Sequence, residues 1–129
     1  MCPRVVALTG SPGTGKSTLA EALKQHGLKI IRLEDIAKDV DALTRESGVN
    51  IIETSKLSEW VWSGDETCII DGHLSHYCTI DAAIVLRCAP DVLRQRLEQR
   101  GGYGAEKIES NVEWELIAGT WSDLVNLHP

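Results

Sequence analysis

Basic charge is in short supply in this chain. Lysine and arginine number 13 against 19 aspartates and glutamates, for a net charge of −6. A protein that grips nucleic acid chiefly through its phosphates needs the opposite balance. An acidic chain suits a basic protein partner, or a small ligand held in a locally positive pocket. The four cysteines, Cys2, Cys68, Cys78 and Cys88, include no C-x-x-C pair, and no histidine stands at zinc-finger spacing. Cys68 and Cys88 fall in apolar runs, which points to buried, reduced thiols and a reducing, cytoplasmic compartment. No apolar run approaches the roughly 20 residues of a membrane-spanning helix. No leader peptide is expected either, because "RVVAL" is followed almost at once by Gly10-Ser11-Pro12-Gly13. Internal repeats and low-complexity tracts are missing too.

What is present is an alternation. At 129 residues the chain has the length of one domain, residues 1–129, large enough to bury a core without metal or disulfide support. Four short apolar runs read as strands covered on both faces: Arg4–Leu8, Leu28–Leu33, Thr67–Asp71 and Ala82–Cys88. Helical patterns lie between or after them. "KSTLAEALKQHG" stops at Gly27, "SKLSEWVWSG" at Gly64, and "PDVLRQRLEQRG" starts on Pro90 and stops at Gly101. Strands alternating with helices imply an α/β fold around a parallel sheet. Residues 34–54 read as a short helix plus an irregular insertion, and "RGGYGAEK" as a glycine-hinged loop. Beyond it, "AEKIESNVEWELIAGTWSDLV" predicts one long helix with two apolar stripes. Ile108, Val112 and Leu116 form the first; Trp114, Ile117, Trp121 and Leu124 form the second.

The chemistry concentrates in Gly10-Ser11-Pro12-Gly13-Thr14-Gly15-Lys16-Ser17, a match to G-x-x-x-x-G-K-[ST] with a strand before it and a helix after. Successive backbone N–H groups must turn inward around a phosphate there, in conformations a Cβ would obstruct. The helix beginning near Gly15 adds the positive end of its dipole. Lys16 offers a point charge to the β- and γ-phosphates, the Ser17 hydroxyl a ligand for Mg²⁺, and Thr18 a hydrogen bond to the α-phosphate. Asp71, closing the third apolar run, is the candidate second holder of Mg²⁺ through water. His73, two residues on, could orient water or a phosphate oxygen. Arg100 leads into the glycine loop and is expected on phosphate, while Arg87 and Arg96 stand evenly between phosphate and surface. Arg94 is expected to pair with Glu98. His26, His76 and His128 read as incidental.

The GTPase signatures N-K-x-D and D-x-x-G are absent, as is an L-S-G-G-Q-type motif. An insertion after the second strand and a hinged loop after the fourth look like a nucleoside monophosphate (NMP) kinase. The segments "LTGSPGTGKSTLAEAL", "GLKIIRLEDIAK", "IIDGHLSH", "LRQRLEQRG" and "EKIESNVEWEL" occur in the order of the adenylate kinase isoenzyme 6 family, which the chain resembles from residue 4 to about 118. That family takes in archaeal proteins named as adenylate kinases and coilin-interacting nuclear ATPases. The resemblance implies a three-layer P-loop fold with strand order 2-3-1-4, here without the family's C-terminal strand and helix. It implies a broad-specificity NMP kinase, ATP plus AMP to two ADP, with ATPase activity and Mg²⁺. It also implies a part in late maturation of the small ribosomal subunit, through transient binding of a basic ribosomal protein. The rival expectation is an ATPase that times release of that protein with negligible kinase turnover. By position, Gly10, Gly13, Thr14, Gly15, Lys16, Ser17, Thr18 and Arg100 would hold ATP, with Asp71 and His73 serving Mg²⁺ and hydrolysis. Residues 31–54 would form the NMP region and 99–109 the lid. Three features depart from the family pattern: a lid longer by one glycine, Lys38 where some relatives carry arginine, and an early end that would leave the second apolar stripe partly exposed or covered by another copy.

Overall fold

A computed structural model describes residues 4–128; Cys2 lies outside the described residues. Two strands make the spine. β1 (Val5–Thr9) is buried along its whole length, and β5 (Cys68–Asp71) is buried except at its last residue. β5 pairs in parallel with β1 on one side and with β2 (Lys29–Arg32) on the other. β6 (Ala82–Val85) pairs with the free side of β1, giving the order β2-β5-β1-β6. Counted among the four runs recognised in the sequence, this is the expected order 2-3-1-4. The near-continuous apolar character of β1 and β5 follows from cover on both faces.

Alternate residues divide the core. Val5, Cys68 and Ile70 face one layer with Leu33, Ile36 and Leu57. Val6, Leu8 and Ile69 face the other, with Ala20 of α1 (Lys16–Gln25). A third cluster joins α3 (Pro90–Arg100) to α4 (Ala105–Leu116) through Leu93, Leu97, Ile108 and Val112. Cys68, Cys78 and Cys88 are free thiols, the first two buried.

Three elements depart from the sequence expectation. The insertion is ordered: α2 (Leu33–Asp39) is followed by an antiparallel hairpin of β3 (Leu43–Glu46) and β4 (Val49–Ile52). Its turn residues Ser47 and Gly48 have φ of 50° and 79°, the geometry of a type I′ hairpin turn. The "SKLSEW" segment forms a short 3₁₀ helix, Thr54–Glu59, not an α-helix, with Leu57 as its buried anchor. The long C-terminal helix is two. Ala118 adopts the left-handed conformation (φ 55°, ψ 43°), and α5 (Gly119–Leu127) sets off after it.

Local chemistry explains that break. Gly119 and Thr120 are weak helix formers, and the Trp114 indole lies so close over Gly119 that a Cβ there would overlap the ring. The indole N–H donates to Thr120 Oγ1 at 3.1 Å. Consequently the first stripe ends early: Ile108 and Val112 are buried, but Leu116 is two-thirds exposed. The second stripe is the exposed one, with Ile117 and Trp121 more than half accessible.

Candidate phosphate-binding cleft

The loop between β1 and α1 is held from behind. Thr14 donates from its side chain to the Ser11 carbonyl at 2.7 Å, tightening the turn. At Gly13 (φ 88°) a Cβ would stand 2.9 Å from Leu93 Cδ1 and 3.2 Å from Leu97 Cδ2, so α3 packs directly beneath the loop. Gly15 (φ 101°) presents the opposite case, with no atom within 4 Å of where its Cβ would be. One glycine is required by close packing, the other leaves an open cradle on the cleft side.

Lys16 fills part of that cradle. Its ammonium donates to the Gly10 and Ser11 carbonyls at 2.9 and 2.8 Å. Burial pushes its pKa down to about 8; Asp71 pulls it back up, and Arg100 pushes it further down. Asp71, at the end of β5, is held above the usual carboxylate range by burial, with Lys16 and Arg32 opposing. A partly buried carboxylate with that penalty accommodates a cation readily. Ser17 and Asp71 line the same cleft, and among the described residues no cluster of three or more His, Cys, Asp or Glu side chains is gathered to hold a metal. Two oxygen donors completed by phosphate and water suit Mg²⁺ rather than an all-protein cage.

The cleft has a volume of about 1090 Å³ and brings together Gly13, Thr14, Gly15, Lys16, Ser17, Thr18, Asp71, His73 and Arg100. Gly10 stands behind it, its carbonyl occupied by Lys16. His73 is exposed, and its imidazole is held below the ordinary range, first by desolvation and then by Lys16, His76 and Lys107. Arg96 also lines the cleft and donates to the Gly13 carbonyl at 3.1 Å, so it braces the loop from α3. Arg87 turns away: it pairs with the buried Glu115 carboxylate and donates to the Glu115 carbonyl at 2.9 Å, tying β6 to the end of α4. Arg94 pairs with Glu109 of α4, not with Glu98, and so ties together the helices flanking the glycine loop.

Several cleft residues escaped sequence reasoning. Arg32 and Glu34 enter from the β2–α2 junction, paired at 3.6 Å, Tyr103 from the glycine loop, and Lys107 and Asn111 from α4. The Lys107 ammonium sits over the Tyr103 ring, 4.7 Å from its centroid. The i, i+4 spacing of Lys107 and Asn111, beside the buried Ile108 and Val112, was the available signal. In all, Lys16, Arg32, Arg96, Arg100 and Lys107 face the cleft against only Asp71 and Glu34. A net-negative chain thus builds a locally positive pocket.

A family model described as an AAA domain matches residues 6–118, spanning β1 to the end of α4. The chain belongs to this P-loop family. Its curated relatives include archaeal proteins named "Putative adenylate kinase". The Archaeoglobus fulgidus protein is 41% identical over 114 residues, covering 88% of this chain and 62% of that protein. The Pyrococcus abyssi protein is 35% identical over 127 residues, covering 96% and 70%. The Methanocaldococcus jannaschii protein is 34% identical over 119 residues, covering 87% and 67%. This P-loop chain therefore spans about two thirds of the length of these relatives. Among solved structures, a gluconokinase from Sinorhizobium meliloti 1021 superposes with a TM-score of 0.49 at 18% identity, covering 88% of this chain and 73% of that one. The family match and the archaeal relatives mark the chain as a P-loop protein similar to proteins named as adenylate kinases. Among the described residues no helix is long and apolar enough to cross a membrane.

Proposed function

We propose that this chain transfers the γ-phosphoryl group of ATP to a nucleoside monophosphate, AMP foremost, and to water when no acceptor is bound. The observation that carries the reading is the cleft's asymmetry. The glycine cradle, Lys16 and the start of α1 meet cations from separate elements in one cleft: Arg100 at the end of α3, Lys107 of α4, and Arg32 from the insertion side. Phosphoryl transfer is mostly positioning and charge stabilisation, which that arrangement supplies. Lys16 would leave the Gly10 and Ser11 carbonyls for the β- and γ-phosphates. Arg100 would neutralise charge on the transferring group, and Thr18 would bond the α-phosphate. The Ser17 hydroxyl and Asp71, the latter through water, would hold Mg²⁺, whose charge would offset that of the phosphates. His73 would orient the attacking water on the hydrolytic branch. Arg32, paired with Glu34, would bring a cation from the expected acceptor region, residues 31–54.

The ribosomal role is implied by the family resemblance and suits the chain's acidity, and neither the cleft nor the relatives' names bear on it. Measuring ADP formation from Mg·ATP with and without AMP separates kinase from plain ATPase. The kinase reading expects a marked rise with AMP; an identical rate in both removes it and leaves an ATPase.

A further inference from the structure

Three residues beyond His73, a second histidine lies outside the cleft and is nearly inaccessible. His76 is 2% exposed, in a short 3₁₀ turn (Ser75–Tyr77) packed between the end of β1 and α5. Its Nδ1 lies 2.7 Å from Thr9 Oγ1, and its Nε2 lies 3.5 Å from Asp123 Oδ2. Tyr77 donates its hydroxyl to the same carboxylate oxygen at 3.0 Å. His128, at the end of α5, reaches the His76 carbonyl at 2.7 Å. Thr9, fully buried, is the last residue before the P-loop, and its hydroxyl also lies 3.2 Å from the His73 carbonyl.

Thr9 has one hydroxyl proton and two acceptors within reach. With both imidazole nitrogens protonated, Nδ1–H donates to Thr9 Oγ1, Nε2–H faces Asp123, and the threonine proton is free for the His73 carbonyl. With His76 neutral, Asp123 favours keeping the proton on Nε2, because a bare Nε2 lone pair would face a carboxylate oxygen. Nδ1 then becomes an acceptor, and the threonine proton turns to it. The His73 carbonyl loses its donor. Loss of one proton at a buried site is thus felt at the backbone of a residue lining the cleft.

We propose that His76 is a positioning residue for the cleft: its protonation state decides, through the single hydroxyl proton of Thr9, whether the His73 backbone is held to the end of β1. The functional consequence rests on the kinase reading above; the switch itself does not. The groups that face His76 are Asp123 from α5, His128 at the end of that helix, His73 from its own loop, and the neighbouring Tyr77. Burial holds the imidazole below the ordinary histidine range, with Asp123 opposing and His128 reinforcing, so the switch acts on the acid side of that range. A cavity of about 230 Å³, lined in part by Ser11, His73, His76 and Asp123, gives the His73 loop room to respond. Ser11, whose buried hydroxyl has no partner among the described residues, borders that cavity.

The test uses the full chain without nucleotide, in a His73→Gln background so that residue 73 brings no imidazole of its own. Imidazole ¹⁵N shifts of His76 and the carbonyl ¹³C shift of residue 73 are followed from pH 8 down to the limit of the fold. The expected result is a single shared midpoint. In Thr9→Val, which keeps the shape and removes the hydroxyl, His76 still titrates but residue 73 no longer follows; Thr9→Ser restores the coupling. With His73 intact, Thr9→Val is expected to lower turnover roughly three- to tenfold below the His76 midpoint, where the threonine holds the His73 carbonyl, and by less above it, with ATP affinity changed less than turnover. Three results overturn the proposal: a His76 that stays neutral across the whole range, a residue 73 carbonyl blind to His76, or one that follows equally well in Thr9→Val. Because the shifts are read without nucleotide, the switch can fail while the kinase reading stands, and the reverse.

Discussion

The P-loop and the α4–α5 end lie close together yet solve opposite problems. The loop turns polar groups inward: Ser11 and Thr14 are buried, and the Lys16 ammonium is folded onto two carbonyls. The α4–α5 end turns apolar groups outward, with Leu116, Ile117 and Trp121 left accessible. Buried polarity in the first region is held by hydrogen bonds within the loop, and on the proposed function it serves a ligand's charge. In the second, burial stops where Ala118 leaves the helix. Apolar residues thus indicate packing only where the backbone keeps its period, and polar residues are functional candidates where the backbone has been shaped to bury them.

The harshest way to separate the regions is Lys16→Ala. It should cost about 100-fold or more in ADP formation from Mg·ATP, since it removes the charge aimed at the transferring phosphates. Folding should be little affected, because a partly desolvated ammonium is exchanged for a methyl group. A circular dichroism melt beside the assay checks both halves. Retained turnover would detach Lys16 from the chemistry.

The next variant strikes where the two regions meet. Leu97 is fully buried, lies under Gly13 and belongs to the α3–α4 cluster. Leu97→Ala should destabilise by about 2–5 kcal/mol, whereas Leu116→Ala, exposed on the same bundle, should stay within about 0.5 kcal/mol. Urea unfolding of both gives the contrast. Equal losses would mean that Leu116 is covered in solution.

That contrast also shows what was legible in advance. The loop's function could be read because G-x-x-x-x-G-K-S fixes residue types at positions where backbone amides must converge, whatever surrounds them. The buried strands β1 and β5 followed from their unbroken apolar runs, whereas the sheet order came from the family resemblance. The hairpin was hidden because Ser47-Gly48 is a weaker turn pair than Asn-Gly, and its strands are mostly exposed, with no clean alternation. The helix break could not be seen in a periodic pattern, because it depends on Trp114 finding Thr120. Arg87 could be placed near the end of β6 but not assigned a partner, since Glu115 reaches it only once α4 is docked. His76 was set aside as incidental for the same reason: Thr9 and Asp123 are remote in sequence.

A subtler contrast lies in alkaline solution. Burial pushes the Cys78 thiol up to about 12 from an ordinary 9.0. The unfolded chain ionises this thiol first, so it contributes stability fully present below pH 9 and lost as pH rises towards 12. Between those limits the loss should approach about 1 kcal/mol per pH unit. It is read as the difference in urea midpoints between wild type and Cys78→Ser at pH 8 and pH 10.5. A difference that does not change with pH would show that the thiol is not buried against ionisation.

The smallest effect asks whether the boundary between the regions is real. Ala118 sits in the left-handed conformation, which costs an L-residue about 1–2 kcal/mol. Glycine would relieve that strain, while the freedom it adds to the unfolded chain removes about 0.4–1 kcal/mol. Ala118→Gly should therefore be neutral or stabilising by up to about 1.6 kcal/mol. In an unbroken helix the same substitution would cost about 1 kcal/mol, because glycine is a poor interior residue there. The sign of a small change in melting temperature thus decides between two backbones: a gain or no change supports the turn, and a clear loss restores the single long helix that the apolar periodicity predicts. Ala118→Val sharpens the answer. A β-branched side chain is strongly disfavoured at positive φ but costs only a few tenths of a kcal/mol in a helix, so in the broken arrangement valine should be markedly worse than glycine.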